Sequence, residues 1–406
     1  MEHAAHPGDC MTTTTSQPEV IEEELADEGV GSGIEQEPES FHTHEPFDPA
    51  SISLSSKVVA LDAVLRRIKN STIQLAPNFQ RNYVWDAERK SLLIESMMLR
   101  IPLPMFYVSE DKEGIWEVVD GLQRLTTIRD FILGPDGDGK GFELKGLEFW
   151  GEQFDGKTFF EIEKKMKVSR IINHIMESEL SFTIINPDTP EKVKRNIFKR
   201  INTGGMRLSA QEIRHALYQG EATKLLITLV GSSTYKSVIG NTVKDNRMAG
   251  RELVLRYLSF HARSWRSFRG DMDTFLSDTM RWINGDLGLS NVDQYDSKRL
   301  SNDFKKGLLR SQAFFGEHAF RRSRTGERKT PVNKSLFEIW MYCFSRINDA
   351  HFQNLLSNRI TFEDKYFTLL KKDYDFIDAI GRHGGDLIGV KNRYTKVINL
   401  LNEFKP

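Results

Sequence analysis

The chain has 406 residues, 39% of them hydrophobic and 28% charged, with only two cysteines, Cys10 and Cys343. That length predicts two folded units in a soluble globular protein, and two cysteines exclude a disulfide framework and a four-cysteine zinc site. The formal net charge of −1 hides an asymmetry: residues 1–50 hold 13 acidic residues and no Lys or Arg, which leaves 56 basic against 44 acidic residues in 51–406, a net of +12.

Residues 1–50 contain few large apolar groups and cannot bury enough surface to offset the entropy of ordering, so they read as a disordered acidic tail. Such a tail either folds back over a basic groove or keeps the protein in solution. The basic body fits a polyanionic partner or a solvated, lysine-rich surface equally well. No apolar run approaches the roughly 20 residues that a bilayer span needs. No basic and then apolar leader is visible either, so a cytoplasmic location without membrane contact is expected.

From Ser51 the composition turns globular. Val58 to Ile68 has helical spacing. Pro77 to Trp85 reads as a loop or short extended piece. Glu88 to Arg100 reads as a helix with Leu92, Leu93, Met97 and Met98 inward, stopped by the prolines at 102 and 104. Met105 to Val108 and Ile115 to Val119 read as short strands joined through Glu110 to Gly114. Asp120-Gly121-Leu122-Gln123-Arg124 follows, then an amphipathic run from Leu125 to Leu133. Residues 134–141 form a glycine-rich loop that lacks the final glutamate of a calcium loop.

Leu180 to Ile185 is a further strand, and Thr189-Pro190 opens a helix with Val193, Ile197 and Ile201 on its apolar stripe. That helix ends at Asn202-Thr203-Gly204-Gly205. Ser209 and Glu212 have the spacing of a capping box, which gives Glu212 a structural role. Beyond Gly220 the apolar spacing is helical: Arg251 to His261, Met272 to Ile283, Leu336 to Ile347, Tyr366 to Leu370 and Tyr394 to Phe404. The expected architecture is α+β over residues 51–220, followed by a mainly α-helical domain over 221–406.

Three strings offer chemistry. At a strand-to-helix turn, Asp120 either caps the helix or holds a metal ion or accepts a proton. Gly121 permits close approach of a ligand, Gln123 would orient a water, and Arg124 would grip phosphate oxygens beside the positive end of the helix dipole. Gln80-Arg81, close to Tyr83 and Trp85, either binds a phosphate or base or stacks on a core aromatic edge. Lys199 and Arg200 either complement the negative helix end or, with Asn202, Gly204 and Gly205, line a pocket. No P-loop string is present. A basic stretch, Arg321 to Lys329, is a solvated loop or a contact for DNA phosphates.

In order and spacing these strings resemble the N-terminal domain of GmrSD-type restriction endonucleases, within the wider ParB/sulfiredoxin-like superfamily. The likeness runs over about residues 55–270 and takes in Gln211-Glu212-Ile213-Arg214 and Asp245 to Glu252. The signature of the family is Asp-Gly-Gln-Gln-Arg, and Leu122 stands here for its first glutamine. The resemblance implies a small mixed sheet with helices. It also implies nucleotide binding and hydrolysis with Mg2+ in defence against phage, linked to DNA recognition or cleavage. In those terms Asp120, Gln123 and Arg124 would be catalytic, Asp120 would hold the metal, and Gln80, Arg81, Gly121, Arg200, Asn202, Gly204 and Gly205 would bind the nucleotide. Related proteins add an HNH nuclease, whose histidine context is not found at His261, His318, His351 or His383. The expectation is therefore a sensor half that works with a nuclease or other defence partner. A non-catalytic DNA-binding module is the alternative. A DNA nickase ranks last, because no carboxylate pair or histidine cluster marks a nuclease centre.

Overall fold

Two hydrophobic cores organise the chain, and the backbone passes from one to the other near Leu217. The computed structural model describes residues 21–25, 31–37, 51–75, 85–164, 169–201, 208–289 and 296–406. The fold is α+β. Its strands are β1 (Glu23–Leu25), β2 (Gly31–Glu35), β3 (Leu54–Ala60), β4 (Ile73–Gln74), β5 (Phe106–Glu110), β6 (Trp116–Asp120) and β7 (Glu179–Ile185). β3 to β7 form one mixed sheet in the order β3-β7-β5-β6-β4. The β3/β7 and β5/β6 pairs are antiparallel, and the β5/β7 and β4/β6 pairs are parallel.

One face of this sheet is apolar, as strand alternation requires. Phe106, Val108, Trp116, Val118, Phe182 and Ile184 are buried there with residues of the helices Leu61–Lys69, Ala87–Met98, Leu122–Ile132 and Ser169–Met176. Phe182 ties the layer together, with its ring centroid 5.3 Å from those of both Phe106 and Trp116. The Glu191–Ile201 helix and the Ala210–Leu217 helix, the latter with its Ser209/Glu212 capping box in place, close this unit. Two local readings are corrected. The helix expected over Val58 to Ile68 begins only at Leu61, because Val58 and Val59 lie in edge strand β3. In the Ala87–Met98 helix Ile94, Met97 and Met98 are buried, while Leu92 and Leu93 are half-buried.

The second core is helical and aromatic. The Lys334–Arg346 helix is buried almost all round, as its Leu336, Phe337, Ile339, Trp340, Met341 and Phe344 permit. It packs against Ala249–Ala262 and Ser297–Phe315. Inside this core Glu338, fully buried, pairs with the equally buried Arg256 and Arg393. Among the described residues no helix is long and apolar enough to cross a membrane.

The acidic tail departs from its reading as disordered, in the part of it that is described. β1 and β2 pair as an antiparallel ribbon, and Ile34 is fully buried in the helical core. Ile34 also forms a parallel bridge with Val332. Low apolar content misleads here because the segment is held chiefly by backbone and ionic partners some 200 to 300 residues away in sequence.

Candidate functional site

Asp120 ends β6, and a β-bulge sets its direction. Val108 pairs with Val118, but Tyr107 pairs with Asp120, so one extra residue lies in β6 between them. Both Val118 and Val119 are buried, and Asp120 emerges on the opposite, polar face. Cross-strand register then places Ser56, Thr183, Tyr107 and Asp120 in a single row across β3, β7, β5 and β6. Ser56 is exposed, Thr183 and Tyr107 are half-buried, and the Asp120 side chain is 39% exposed. Farther along the same face lie Ile185, Ser109 and Glu117. There the sheet is covered: Ile185 and Ser109 are buried, and Gln219 donates from Nε2 to Glu117 Oε1 at 2.7 Å. The open end of the face is therefore the end that carries Asp120.

Gly121 is the N-cap of the Leu122–Ile132 helix, with φ of 91° and no side-chain cap. A Cβ at this position would stand 2.3 Å from Phe106 Cδ1, so both backbone conformation and space demand glycine. Asp120 therefore does not cap the helix; its Oδ2 accepts from Arg124 Nη2 at 2.9 Å. Arg124 also donates to the carbonyls of Pro104 and, at 3.2 Å, Met105, and its guanidinium carbon lies 4.4 Å from the centroid of Phe106. Burial lowers the Arg124 pKa, an effect that Asp120 opposes. This arginine thus fastens the entry of β5 to the start of the helix. Leu122, where the resemblance leads one to expect a glutamine, is buried in the first core, where a glutamine would need a polar partner. Gln123 is half-buried in the first turn of the helix.

Arg200 is exposed in the last turn of the Glu191–Ile201 helix. Gln80, Arg81, Asn202, Gly204 and Gly205 lie outside the described residues. Glu212 is structural: besides its capping box it accepts from Arg247 Nη2 at 2.9 Å. Tyr107, Thr183 and Ser56 are the additions that the strings did not reveal. The one local signal for them was the adjacent pair Val118-Val119, which breaks the alternation of β6 and marks the bulge.

A line of polar contacts joins this unit to the helical one. Tyr218 Oη donates to Glu191 at 3.2 Å and accepts from Arg195 at 3.0 Å. Arg195 and Arg214 both pair with Asp273, at 2.8 and 2.6 Å, and Arg214 lies 3.4 Å from Glu252. Among the described residues no group of three or more His, Cys, Asp or Glu forms a metal-binding cluster. No curated protein and no solved structure matches the chain. Residues 63–219 match the family model of the GmrSD restriction endonuclease, N-terminal domain. That span holds β4 to β7, the Asp120 turn and the Ser209/Glu212 capping box, and it is a domain of the GmrSD N-terminal family.

Proposed function

We propose that this chain is part of a restriction or anti-phage defence system, that it binds and hydrolyses a nucleoside triphosphate at the open sheet face, and that it acts in association with DNA. The observation that carries the nucleotide reading is the bulge that turns Asp120 onto the polar row Ser56–Thr183–Tyr107, beside a helix start that no side chain caps. Free N–H groups and the helix dipole favour a phosphate at that point. The hydroxyls of Thr183 and Tyr107 are donors of the kind a phosphate or ribose accepts from.

Mg2+ fits Asp120 in one respect. Arg124 holds Oδ2, the side chain remains partly exposed, and magnesium takes one or two protein carboxylates together with substrate phosphate oxygens. When bound, it would neutralise charge on the phosphates. Gln123, one residue into the helix after its N-cap and the next residue, would orient the attacking water, and Arg81, Arg200 and the 202–205 loop would hold the nucleotide. Arg124 keeps Asp120 aimed, so its first role here is positioning.

A titration of the full chain with a panel of NTPs in magnesium, followed by calorimetry and phosphate release, tests this. Binding of at least one NTP is expected, with Asp120→Asn abolishing phosphate release while the thermal unfolding midpoint holds. No binding of any NTP, with or without DNA, overturns it. The second reading, a non-catalytic DNA-binding module, is favoured by the Arg124 contacts to Pro104, Met105 and Asp120, which make the motif a fastened structural turn. It predicts salt-sensitive DNA binding that nucleotide leaves unchanged.

A further inference from the structure

The part of the acidic segment that folds does so on cations. Glu37 Oε2 accepts from Arg256 Nη1 at 2.7 Å, Glu35 Oε2 from Arg322 Nε at 3.1 Å, and Glu24 from Lys334. The helical unit does not balance these cations by itself. Arg256 and Arg393 share Glu338 and Lys334 pairs with Glu252, three positive charges against two, and Glu252 is shared with Arg214. The three glutamates of the segment complete the neutralisation that burial of Arg256 and Lys334 requires.

The fit is incomplete in a telling way. Glu37 Oε1 is buried with no hydrogen-bond partner. The segment has one fully buried apolar side chain among the described residues, Ile34, and besides its ion pairs is held by backbone bonds: Glu35 N to Val332 O at 2.8 Å, Val332 N to Gly33 O at 2.9 Å and Lys244 N to Ser32 O at 3.1 Å. The Arg321–Lys329 loop follows on from Arg322 with Arg324, Arg328 and Lys329 exposed, Arg324 lying 3.4 Å from Glu327 and Lys329 pairing with Glu317. Cations that are buried at one place in the unit and exposed at another suit an extended chain of anions better than a single small one.

We infer that Glu24, Glu35 and Glu37 occupy in cis a phosphate-binding site of the helical unit, made by Arg256, Arg322 and Lys334 and continued by Arg324, Arg328 and Lys329, and that a nucleic-acid strand is the ligand that displaces them. Each carboxylate stands where one backbone phosphate would sit, so exchange never leaves the buried cations unpaired. The inference leans on the DNA side of the proposed function; failure of nucleotide binding at Asp120 leaves it standing. It accounts for an acidic segment and a basic body on one chain.

The experiment is fluorescence anisotropy on the full chain with fluorescein-labelled oligonucleotide, single-stranded and duplex, comparing wild type with the double variant Glu35→Gln, Glu37→Gln. The variant should bind at least about tenfold more tightly at low salt, with a steeper salt dependence, since two competing anions are gone. Unchanged or weaker binding by a variant with a wild-type circular dichroism spectrum overturns the inference. So does a variant that binds neither form of oligonucleotide. If the variant does not fold, hydrogen exchange on the wild type decides: residues 31–37 should lose amide protection as oligonucleotide saturates the protein, and unchanged protection overturns the inference.

Discussion

The two units place their charges in opposite ways. In the first, the ionic groups of interest stand at the rim: Asp120 is partly exposed, and Arg124 is anchored to backbone carbonyls beside it. In the second, charge is built into the interior, with Glu338, Arg256 and Arg393 all at or near zero exposure. A rim pair can exchange partners when a ligand arrives, because solvent replaces whatever it gives up. A buried trio can give up a partner only to another anion, because a partner lost without replacement leaves a charge in a low-dielectric interior. The first unit is therefore suited to chemistry, and the second to holding a shape that only another anion can enter.

The sharpest way to break this comparison is at Glu338. Glu338→Gln strips the buried Arg393 and Arg256 of their shared carboxylate and should cost about 3–5 kcal/mol, read by denaturant unfolding. A loss below about 1 kcal/mol would mean that the trio is hydrated after all. Next comes Gly121→Ala, which forces a side chain into a φ of 91° and against Phe106. It should cost about 1–3 kcal/mol and weaken nucleotide binding; an unchanged unfolding midpoint would show that the turn relaxes freely.

A smaller and pH-dependent effect is expected at Glu117. The residue as a whole is half-buried, but its carboxyl is enclosed, and burial pushes its pKa up to about 8, against an ordinary 4.5. The folded state thus holds a proton that the unfolded chain releases sooner. This contribution is fully present below pH 4.5 and is lost as pH rises to about 8. Glu117→Gln keeps the neutral form at every pH, so its unfolding midpoint should gain on the wild type between those limits and level off above them. A constant difference across that window contradicts the raised pKa. The smallest effect is reserved for an exposed pair, Lys365 with Glu403, each about half exposed. Lys365→Ala should move stability by no more than about 0.5 kcal/mol in thermal unfolding, and a larger loss would mean that surface pairs in the helical unit also bear weight.

Much of the fold was legible because its signals are local. The Ser209/Glu212 box and the β5–β6 hairpin each rest on residues within one turn of each other, and each lies where the spacing placed it, whereas the helix expected to open with Thr189 as its cap begins at Glu191, and the Thr189 hydroxyl donates instead to Ser53 O at 3.0 Å. The helix at Leu61 was misplaced because its N-cap, Ala60, offers no side-chain cap to mark the start. The polar row was not legible at all. Ser56, Thr183, Tyr107 and Asp120 meet only through sheet register, which is settled by pairings up to about 130 residues apart and shifted by one bulge. The acidic segment failed for a like reason: its partners are distant cations, and composition carries no record of them.

The bridge between Ile34 and Val332 has a consequence for synthesis. The segment around Ile34 leaves the ribosome before its partner, which follows roughly 300 residues later. At about 5–20 residues per second, that is an interval of about 15–60 s. Through that time the nascent chain carries its anionic stretch outside, ahead of every cation that will receive it. The first unit has all its strands by Ile185 and can mature meanwhile. The helical unit cannot close its last seam until residues beyond Val332 emerge, so a segment made about 300 residues earlier is among the last to find its place.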